Sequence, residues 1–329
     1  MVAVAGSAII FVTCLGAIGL KSGALFQNVC MTMKLLAIGT FVVAGLSFAQ
    51  AGDVSSVPPV LAEGPAPTGL FAASLAVLFS YGGWQLLSYI APSVRDPQRN
   101  LPRAIVVGVG GVVAIYFLIN LAYLRVLGLD GLAQTGGQPM ADRMARATLG
   151  DAFGATFVTA AMAVSALGFL VATLITTPGI YVAMAREGLF WPALGKANPY
   201  TGAPVLALVV QCTLALGYLA WTVGDATFVR SLTGAVVFAE WIFHGLAGAA
   251  LIVLARRNKG PRPFRSPFYP LFPALYIAIA AVVVIGNLSD QLTSDEPEVV
   301  LIGLCVVFLG ALAYPILMKR VPTTPSEKS

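Results

Sequence analysis

The sequence has 329 residues, of which 58% are hydrophobic and only 10% are charged. A soluble globular domain usually carries about 25% charged residues, so the composition excludes a soluble protein and predicts an integral membrane protein. The formal net charge of +5 does not predict nucleic acid binding, because the positions of the charges matter here more than their sum.

Apolar runs long enough to span a bilayer recur along the chain. A spanning helix needs roughly 20 mainly apolar residues. Strong period-2 alternation is absent, so we predict an all-α integral membrane protein. Nine runs meet the length criterion: about 2–20, 29–49, 70–91, 104–124, 156–184, 203–223, 232–254, 270–288 and 299–318.

The basic residues of the short loops predict an orientation. Fourteen of the nineteen Lys and Arg residues fall in alternate loops on one side, and four fall on the other. This bias places the first side and the C-terminus in the cytoplasm. With nine spans the N-terminus lies outside. Met1 enters apolar sequence directly, without the basic region of a signal peptide, so we expect coding sequence upstream.

The connecting segments carry two local predictions. The outer loop at 125–153 is expected to contain a short surface helix near 139–149. In the cytoplasmic turn at 96–105, Asn100 is expected to cap the following helix, with Pro102 in its first turn.

The third run contains adjacent glycines, Gly82 and Gly83, at mid-membrane depth beside Ser80 and Tyr81. Glycine costs about 1 kcal/mol against alanine inside a helix. An unwound turn here would free backbone groups of the kind that transporters use to hold charged substrates near the bilayer midplane. The alternative is that the glycines only allow close helix packing. The spacing alone leaves both interpretations open.

Three ionisable residues lie inside the spans. Lys34 is too deep for a simple end anchor, and a central lysine costs roughly 2.5–3.5 kcal/mol on insertion scales. We expect it to face a cavity or a partner; the alternative is snorkelling to the cytoplasmic surface. Glu240 and His244 are four residues apart and share a helix face. Glu240 is interpreted as a proton carrier, a substrate contact or a buried structural acid, and His244 as a satisfied buried residue in preference to the alternative, a proton relay.

The fifth span carries hydroxyls before Pro178, and Thr173 and Thr177 share a face. Such groups coordinate cations or hydrogen-bond an ammonium, although membrane threonines usually bond back to their own helix. The cysteines, all in apolar runs without a CxxC pair, are interpreted as buried apolar residues. No nucleotide-binding loop, metal-ligand spacing or nucleophile–base set occurs, so neither an enzyme nor a cofactor is expected.

Four segments resemble the amino acid–polyamine–organocation (APC) superfamily, on its L-amino-acid-transporter side. LFSYGGWQLLSYIAPSVRDPQRNLPRAI (78–105) resembles its sixth helix and the following loop, and VAMAREGLFWPALGKANPYTGAPVLAL (182–208) resembles the loop after its eighth helix. VFAEWIFHGLAGAALIVLARR (237–257) resembles its tenth helix and CMTMKLLAIG (30–39) its fifth. The match runs in order along essentially the whole chain.

The resemblance implies a single transmembrane permease domain over residues 1–329, with an inverted-repeat fold. The nine runs would correspond to helices 4 to 12 of a twelve-helix permease that lacks its first three helices. Residues 1–50 would be a remnant of the first repeat and 70–257 the complete second repeat. Residues 258–329 would hold the last two helices and the tail.

The resemblance also implies site residues. Carbonyl groups of the broken helix accept the substrate ammonium, with the Phe79 ring as a gate and a tenth-helix acid lining the pocket. Lys34 would take the place of a sodium ion and bridge to hydroxyls at Thr173 and Thr177. The implied substrate-binding residues are Phe79, Ser80, Gly82, Gly83, Trp84, Gln85 and Glu240.

The implied function is secondary active transport of L-amino acids by alternating access, through sodium-independent exchange or proton coupling. The alternative is a truncated, transport-inactive membrane subunit that binds or regulates a partner. The expected partners are an amino acid substrate and the lipid bilayer, without nucleic acid. The expected location is the plasma membrane; the amino acid carried and the oligomeric state stay open.

Overall fold

The fold is known from a computed structural model that describes residues 2–48, 77–78, 80–133, 139–221, 226–257, 268–293 and most of 304–314. Every regular element in these ranges is helical. The α-helices are α1 Val2–Ile18, α2 Leu20–Leu46, α3 Leu86–Tyr89, α4 Pro97–Ala133, α5 Met140–Leu149, α6 Asp151–Thr176, α7 Pro178–Arg186, α8 Val205–Trp221, α9 Ala226–Arg257 and α10 Leu271–Thr293. Two 3₁₀ helices, Ala91–Ser93 and Pro192–Gly195, connect them.

Several helices are long and apolar enough to cross a membrane. Among the described residues four segments meet both criteria: Lys21–Leu46, Pro97–Leu132, Asp151–Arg186 and Phe238–Arg257. Three shorter apolar segments are Val2–Ile18, Val205–Trp221 and Leu271–Gly286. The all-helical membrane class is therefore supported. Of the remaining predicted runs, 70–91 and 299–318 lie partly outside the described residues, so the count of nine spans and the inverted repeat stay predictions.

The helices pack through small apolar clusters and leave broad apolar faces exposed. One cluster joins α2, α4, α5 and α6 through six buried residues: Phe41, Ala122, Val126, Met144, Ala145 and Val158. A second joins α1 and α6 through Ile9, Val12, Val171 and Leu174. On α4, by contrast, Val107 is 74% exposed and Phe117 65% exposed. Exposed apolar faces of this extent fit contact with lipid.

Two local predictions have different outcomes. The short helix expected near 139–149 is present as α5, where Arg146 Nε pairs with Asp142 Oδ2 at 2.8 Å. The Asn100 cap is wrong, because α4 already begins at Pro97 and places Asn100 inside the helix. Proline at the first helical position needs no N–H partner, so it starts the helix earlier than the cap signal indicated. The Asn100 amide donates to the Arg95 carbonyl at 2.6 Å instead.

The four cysteines are free thiols. Cys30 is buried between α2 and α6, as expected, but Cys14 and Cys305 are exposed. The expectation of burial is wrong for these two. An apolar side chain on a membrane helix needs no protein neighbour, since lipid is as apolar as a packed core.

Candidate functional site

The helix that precedes α3 is interrupted where Gly82 and Gly83 predict a break. Residues 77–78 and 80 are helical, residues 81–85 form turns, and α3 begins at Leu86. Gly83 has a φ of +101°, which L side chains rarely adopt, so glycine fits here without strain. The Leu86 N–H donates to the Gly83 carbonyl at 3.2 Å, a tight turn in place of an α-helical bond. We call residues 81–85 the break.

Two backbone carbonyls of the break have no partner among the described residues. Among the described residues, no hydrogen bond reaches the carbonyl oxygens of Tyr81 or Gly82. The Ser80 carbonyl accepts from the Tyr116 hydroxyl at 2.9 Å, and the Tyr81 ring packs edge-on against Tyr116 at 5.0 Å. The carbonyl of Ser80 is therefore partly used, although a second lone pair remains. Phe79 lies outside the described residues.

Gln85 fastens the break to α9. Its Oε1 accepts from the Gly83 N–H at 2.8 Å, and its Nε2 donates to Glu240 Oε1 at 2.5 Å. Glu240 is half-buried. Its carboxylate bonds to Gln85 of the break although 155 positions separate the two residues. The contact brings together two residues that the sequence assigned to one pocket.

His244 lies among three aromatic rings next to this contact. It stacks on Trp84 with centroids 5.6 Å apart at 23°, and meets Trp241 and Tyr276 edge-on at 5.5 and 6.1 Å. Its Nε2 is 3.7 Å from Glu240 Oε1, so these two residues share a helix face as predicted. Trp84, with 42% of its surface exposed, covers one side of this cluster.

The segment after the break rests on α7. A side chain at Gly179 would collide with the carbonyl oxygen of Tyr89, so the missing Cβ lets the two elements approach closely. Pro178 starts α7 and has no N–H to satisfy, which makes the junction after Thr177 a natural helix restart. The break is thus joined to α9 through Gln85, and the segment that follows it packs on α7.

Lys34 lies in a second region, between α2 and α6. It lines a cavity of about 120 Å³ together with Gln27, Cys30, Met31, Gly168, Phe169 and Ala172. Within the described part of the chain, no hydrogen bond or ion pair of Lys34 is found, and the expected bridge to Thr173 and Thr177 is not formed. The Oγ1 of Thr173 is nevertheless buried without a partner, as is Oε1 of Gln27. This region holds an unused donor and two unused acceptors.

Sequence reasoning missed two tyrosines at the break. Tyr116 donates its hydroxyl to Ser80, and Tyr276 contacts the rings of Trp84 and His244. The only sequence signal for either was a hydroxyl-bearing ring inside an apolar run. Membrane tyrosines are common at the interfaces, so this signal has little power.

Comparison with known proteins decides the family. The family model described as "Amino acid permease" matches residues 2–310. The chain belongs to the amino acid permease family. The serine/threonine exchanger SteT of Bacillus subtilis (strain 168) is 31% identical over 316 residues, which cover 95% of this permease chain and 68% of that protein. The curated relatives are amino acid transporters of the APC superfamily, as the resemblance implied.

Two mammalian relatives match over similar stretches. The b(0,+)-type amino acid transporter 1 of Mus musculus is 29% identical over 87% of this permease chain and 57% of its own length. The large neutral amino acids transporter small subunit 2 of Homo sapiens is 28% identical over 88% of the chain and 52% of its own length. The chain thus spans about half to two thirds of the length of the relatives it matches.

Proposed function

We propose that this chain is a secondary active permease that moves L-amino acids across the membrane by alternating access. Exchange or proton coupling supplies the energy, and neither ATP nor sodium is required. The observation that carries the proposal is the break, which has two carbonyl oxygens without a partner among the described residues and is joined through the Gln85 side chain to the carboxylate of Glu240. The names of the relatives, transporters and an exchanger of amino acids, support the substrate class.

The break suits an α-ammonium group. A protonated amine has three N–H donors and a full positive charge, and the carbonyls of Tyr81 and Gly82 are acceptors. Glu240, which is bonded to Gln85 of the break, adds a negative charge. A charge-assisted hydrogen bond contributes about 1.5–3 kcal/mol, enough to select an amine over a neutral group. In this proposal Phe79, Ser80, Gly82 and Gly83 surround the ammonium, and Trp84 and Gln85 face the side chain.

Lys34 is proposed as a fixed positive charge in place of a bound sodium ion. The ammonium of Lys34 offers three donors, and the unpartnered Oγ1 of Thr173 offers an acceptor on the neighbouring helix. In the closed state of the cycle Lys34 would reach Thr173 and Thr177, and in another state it would not. A site that forms and breaks in this way couples α2 to α6.

The wider arrangement is proposed with the same function. Nine spans correspond to helices 4 to 12 of the twelve-helix fold, with residues 70–257 forming one five-helix repeat. The basic loops favour a cytoplasmic C-terminus, and the plasma membrane location is proposed together with the transport function. One relative is named a small subunit, so an accessory subunit is a reasonable object of a pull-down experiment.

Reconstituted exchange is the direct test. The protein is expressed from its native gene, purified and placed in liposomes that contain unlabelled L-amino acids, and uptake of labelled L-amino acids is measured in sodium and in choline buffer. We expect uptake that is accelerated by internal substrate and equal in both buffers. Gly82→Leu should abolish it, because the bulky side chain fills the turn. The matched control is Gly217→Leu on α8, where an added Cβ meets nothing within 4 Å.

Three results would each count against a part of the proposal. Binding of an amino acid without uptake would favour the transport-inactive subunit. Normal uptake by Gly82→Leu would remove the break from the substrate site. Uptake that collapses in choline would contradict sodium independence alone.

A further inference from the structure

The side chain of His244 contacts the break and α10, and it lies close to Glu240 on its own helix, α9. It stacks on Trp84 of the break, contacts Tyr276 of α10, and lies 3.7 Å from Glu240, which in turn holds Gln85. It is the single histidine in the 329 residues. Histidine is the side chain whose charge ordinarily changes between about pH 5 and 8. A titratable group therefore lies next to the Gln85–Glu240 hydrogen bond that joins the break to α9.

We propose that His244 and Glu240 form a proton-binding pair that competes with the amino acid substrate. When His244 takes up a proton from the aqueous phase, its positive charge offsets the negative charge of Glu240. Trp84 and the break are then held against α9. Release of that proton frees the carboxylate for the substrate ammonium. The inference rests on the proposed function only where it names the substrate; the proton-binding pair stands on the geometry alone.

The ring of His244 faces a carboxylate and an indole. An imidazolium carries a proton on both ring nitrogens, so the charged form always has an N–H at Nε2 to offer Glu240 Oε1, whereas neutral histidine carries a proton on only one nitrogen. A cation on the face of an indole is attracted to it, and tryptophan has the strongest cation–π interaction of the aromatic side chains. The side chain of His244 is 16% exposed and that of Glu240 is 37% exposed.

No other described charge competes for the pair. Two titratable groups face it, the phenol of Tyr276 on α10 and that of Tyr89 at the end of α3, which interacts electrostatically with Glu240. Phenols are neutral between pH 5 and 8. Trp84, Trp241 and Gln85 complete the surroundings and do not titrate. Among the described residues named here, the imidazole of His244 is the group whose charge ordinarily changes in this pH range.

Competition between the proton and the substrate determines the direction in which substrate affinity changes with pH. The protonated pair presents no net charge to an ammonium, and the deprotonated pair presents one negative charge. Substrate affinity should therefore rise as pH increases through the titration of His244. Linkage requires the reciprocal effect, in which substrate binding expels the proton. Typical coupling between two sites changes affinity about fivefold or more.

The first experiment tests the proton-binding pair on the purified protein and does not require transport. An imidazolium stacked on an indole quenches its emission, so tryptophan fluorescence of the purified protein is followed from pH 8 to pH 5. We expect a reversible fall in emission that disappears in His244→Gln and in His244→Phe, which keeps the ring without the charge. Trp84→Phe should remove most of the change. Trp191→Phe, the same substitution in a ring that contacts Phe190, should keep it.

The second arm measures binding of labelled L-amino acids at pH 5 and pH 8. We expect at least about fivefold weaker binding at pH 5 for the parent and no pH difference for either His244 variant. Fluorescence that does not change with pH, or a change that persists in both His244 variants, would overturn the proton-binding pair. A pH-dependent affinity that survives both variants would overturn the competition. Absence of amino acid binding at every pH would instead count against the proposed function, while the fluorescence arm still decides the pair.

Discussion

The break and the Lys34 cavity are both polar sites in apolar surroundings, but their internal contacts differ. At the break, Gln85 and Glu240 bond each other, and His244 adds an aromatic and an electrostatic contact. At the cavity, Lys34 has no bond with a described residue, and Thr173 has a buried hydroxyl without a partner. The side chains at the break form a connected network, and the cavity holds separated donors and acceptors.

This difference predicts how each region responds to substitution. Removing one member of a connected network leaves a partner unsatisfied at a cost of about 1–3 kcal/mol, so single changes at the break should have large effects. Removing a donor or an acceptor at the Lys34 cavity breaks no described hydrogen bond in the state that the structure describes. Its effect appears only in a state where the groups meet, and transport should respond more than folding.

After the complete loss expected for Gly82→Leu, the largest effect is expected at Gly83. Gly83→Ala places a side chain at a φ of +101°, and such backbone strain costs about 1–3 kcal/mol. Since nothing lies within 4 Å of the added Cβ, strain alone acts there, and uptake should fall roughly tenfold to hundredfold. Uptake into proteoliposomes is measured against Gly217→Ala, whose added Cβ also meets nothing. Equal uptake by both variants would mean that the break tolerates a different backbone.

The contact between Gln85 and Glu240 should give the next largest effect. Gln85→Ala and Glu240→Ala should each weaken amino acid binding about tenfold, and the double variant should be little worse than either single one. A double-mutant cycle on binding affinity isolates the shared term, which we expect to exceed about 1 kcal/mol because the acceptor is charged. Glu240→Gln keeps an acceptor but removes the charge, and should fall between the parent and Glu240→Ala. Fully additive losses would show that the contact does not matter for binding.

The sequence contained the local part of this arrangement. Two adjacent glycines inside an apolar run weaken a helix, so Gly82 and Gly83 marked the place of the break, although their spacing alone left close helix packing as the other interpretation. The helical period likewise placed Glu240 and His244 on one face. These features depend on neighbours within four residues, which the sequence shows directly.

The long-range part was out of reach of local patterns. Nothing near Gln85 indicates that its amide meets Glu240, and nothing near Tyr116 indicates that its hydroxyl meets Ser80. Asn100 shows the opposite failure, where a valid cap signal lost to Pro97, which starts the helix one turn earlier. The expected bridge from Lys34 to Thr173 stays a prediction, because it depends on a rearrangement and not on sequence spacing.

Lys34 tests the cavity. Lys34→Ala should lower uptake about fivefold while leaving expression and detergent-solubilised yield unchanged, since no described contact is lost. The fivefold fall in uptake corresponds to the lower end of the coupling that is usual between two sites. Replacement of sodium by choline should have no effect on the parent. Unchanged uptake by Lys34→Ala would remove the lysine from the cycle, and a loss of yield would assign it a structural role.

The smallest expected effect separates two threonines on one helix. Thr173→Val removes a buried hydroxyl that has no partner, and keeps the shape of the side chain. Thr176→Val is the matched control, because the Thr176 hydroxyl already donates to the Ala172 carbonyl at 2.7 Å and has no need of Lys34. One hydrogen bond contributes about 0.5–1.5 kcal/mol net, so Thr173→Val should lower uptake about threefold, and Thr176→Val should not. In the Lys34→Ala background the Thr173 effect should vanish, since the hydroxyl then has no donor to meet. If Thr173→Val lowers uptake equally with and without Lys34, the two residues act separately and the lysine does not replace a bound cation at this hydroxyl.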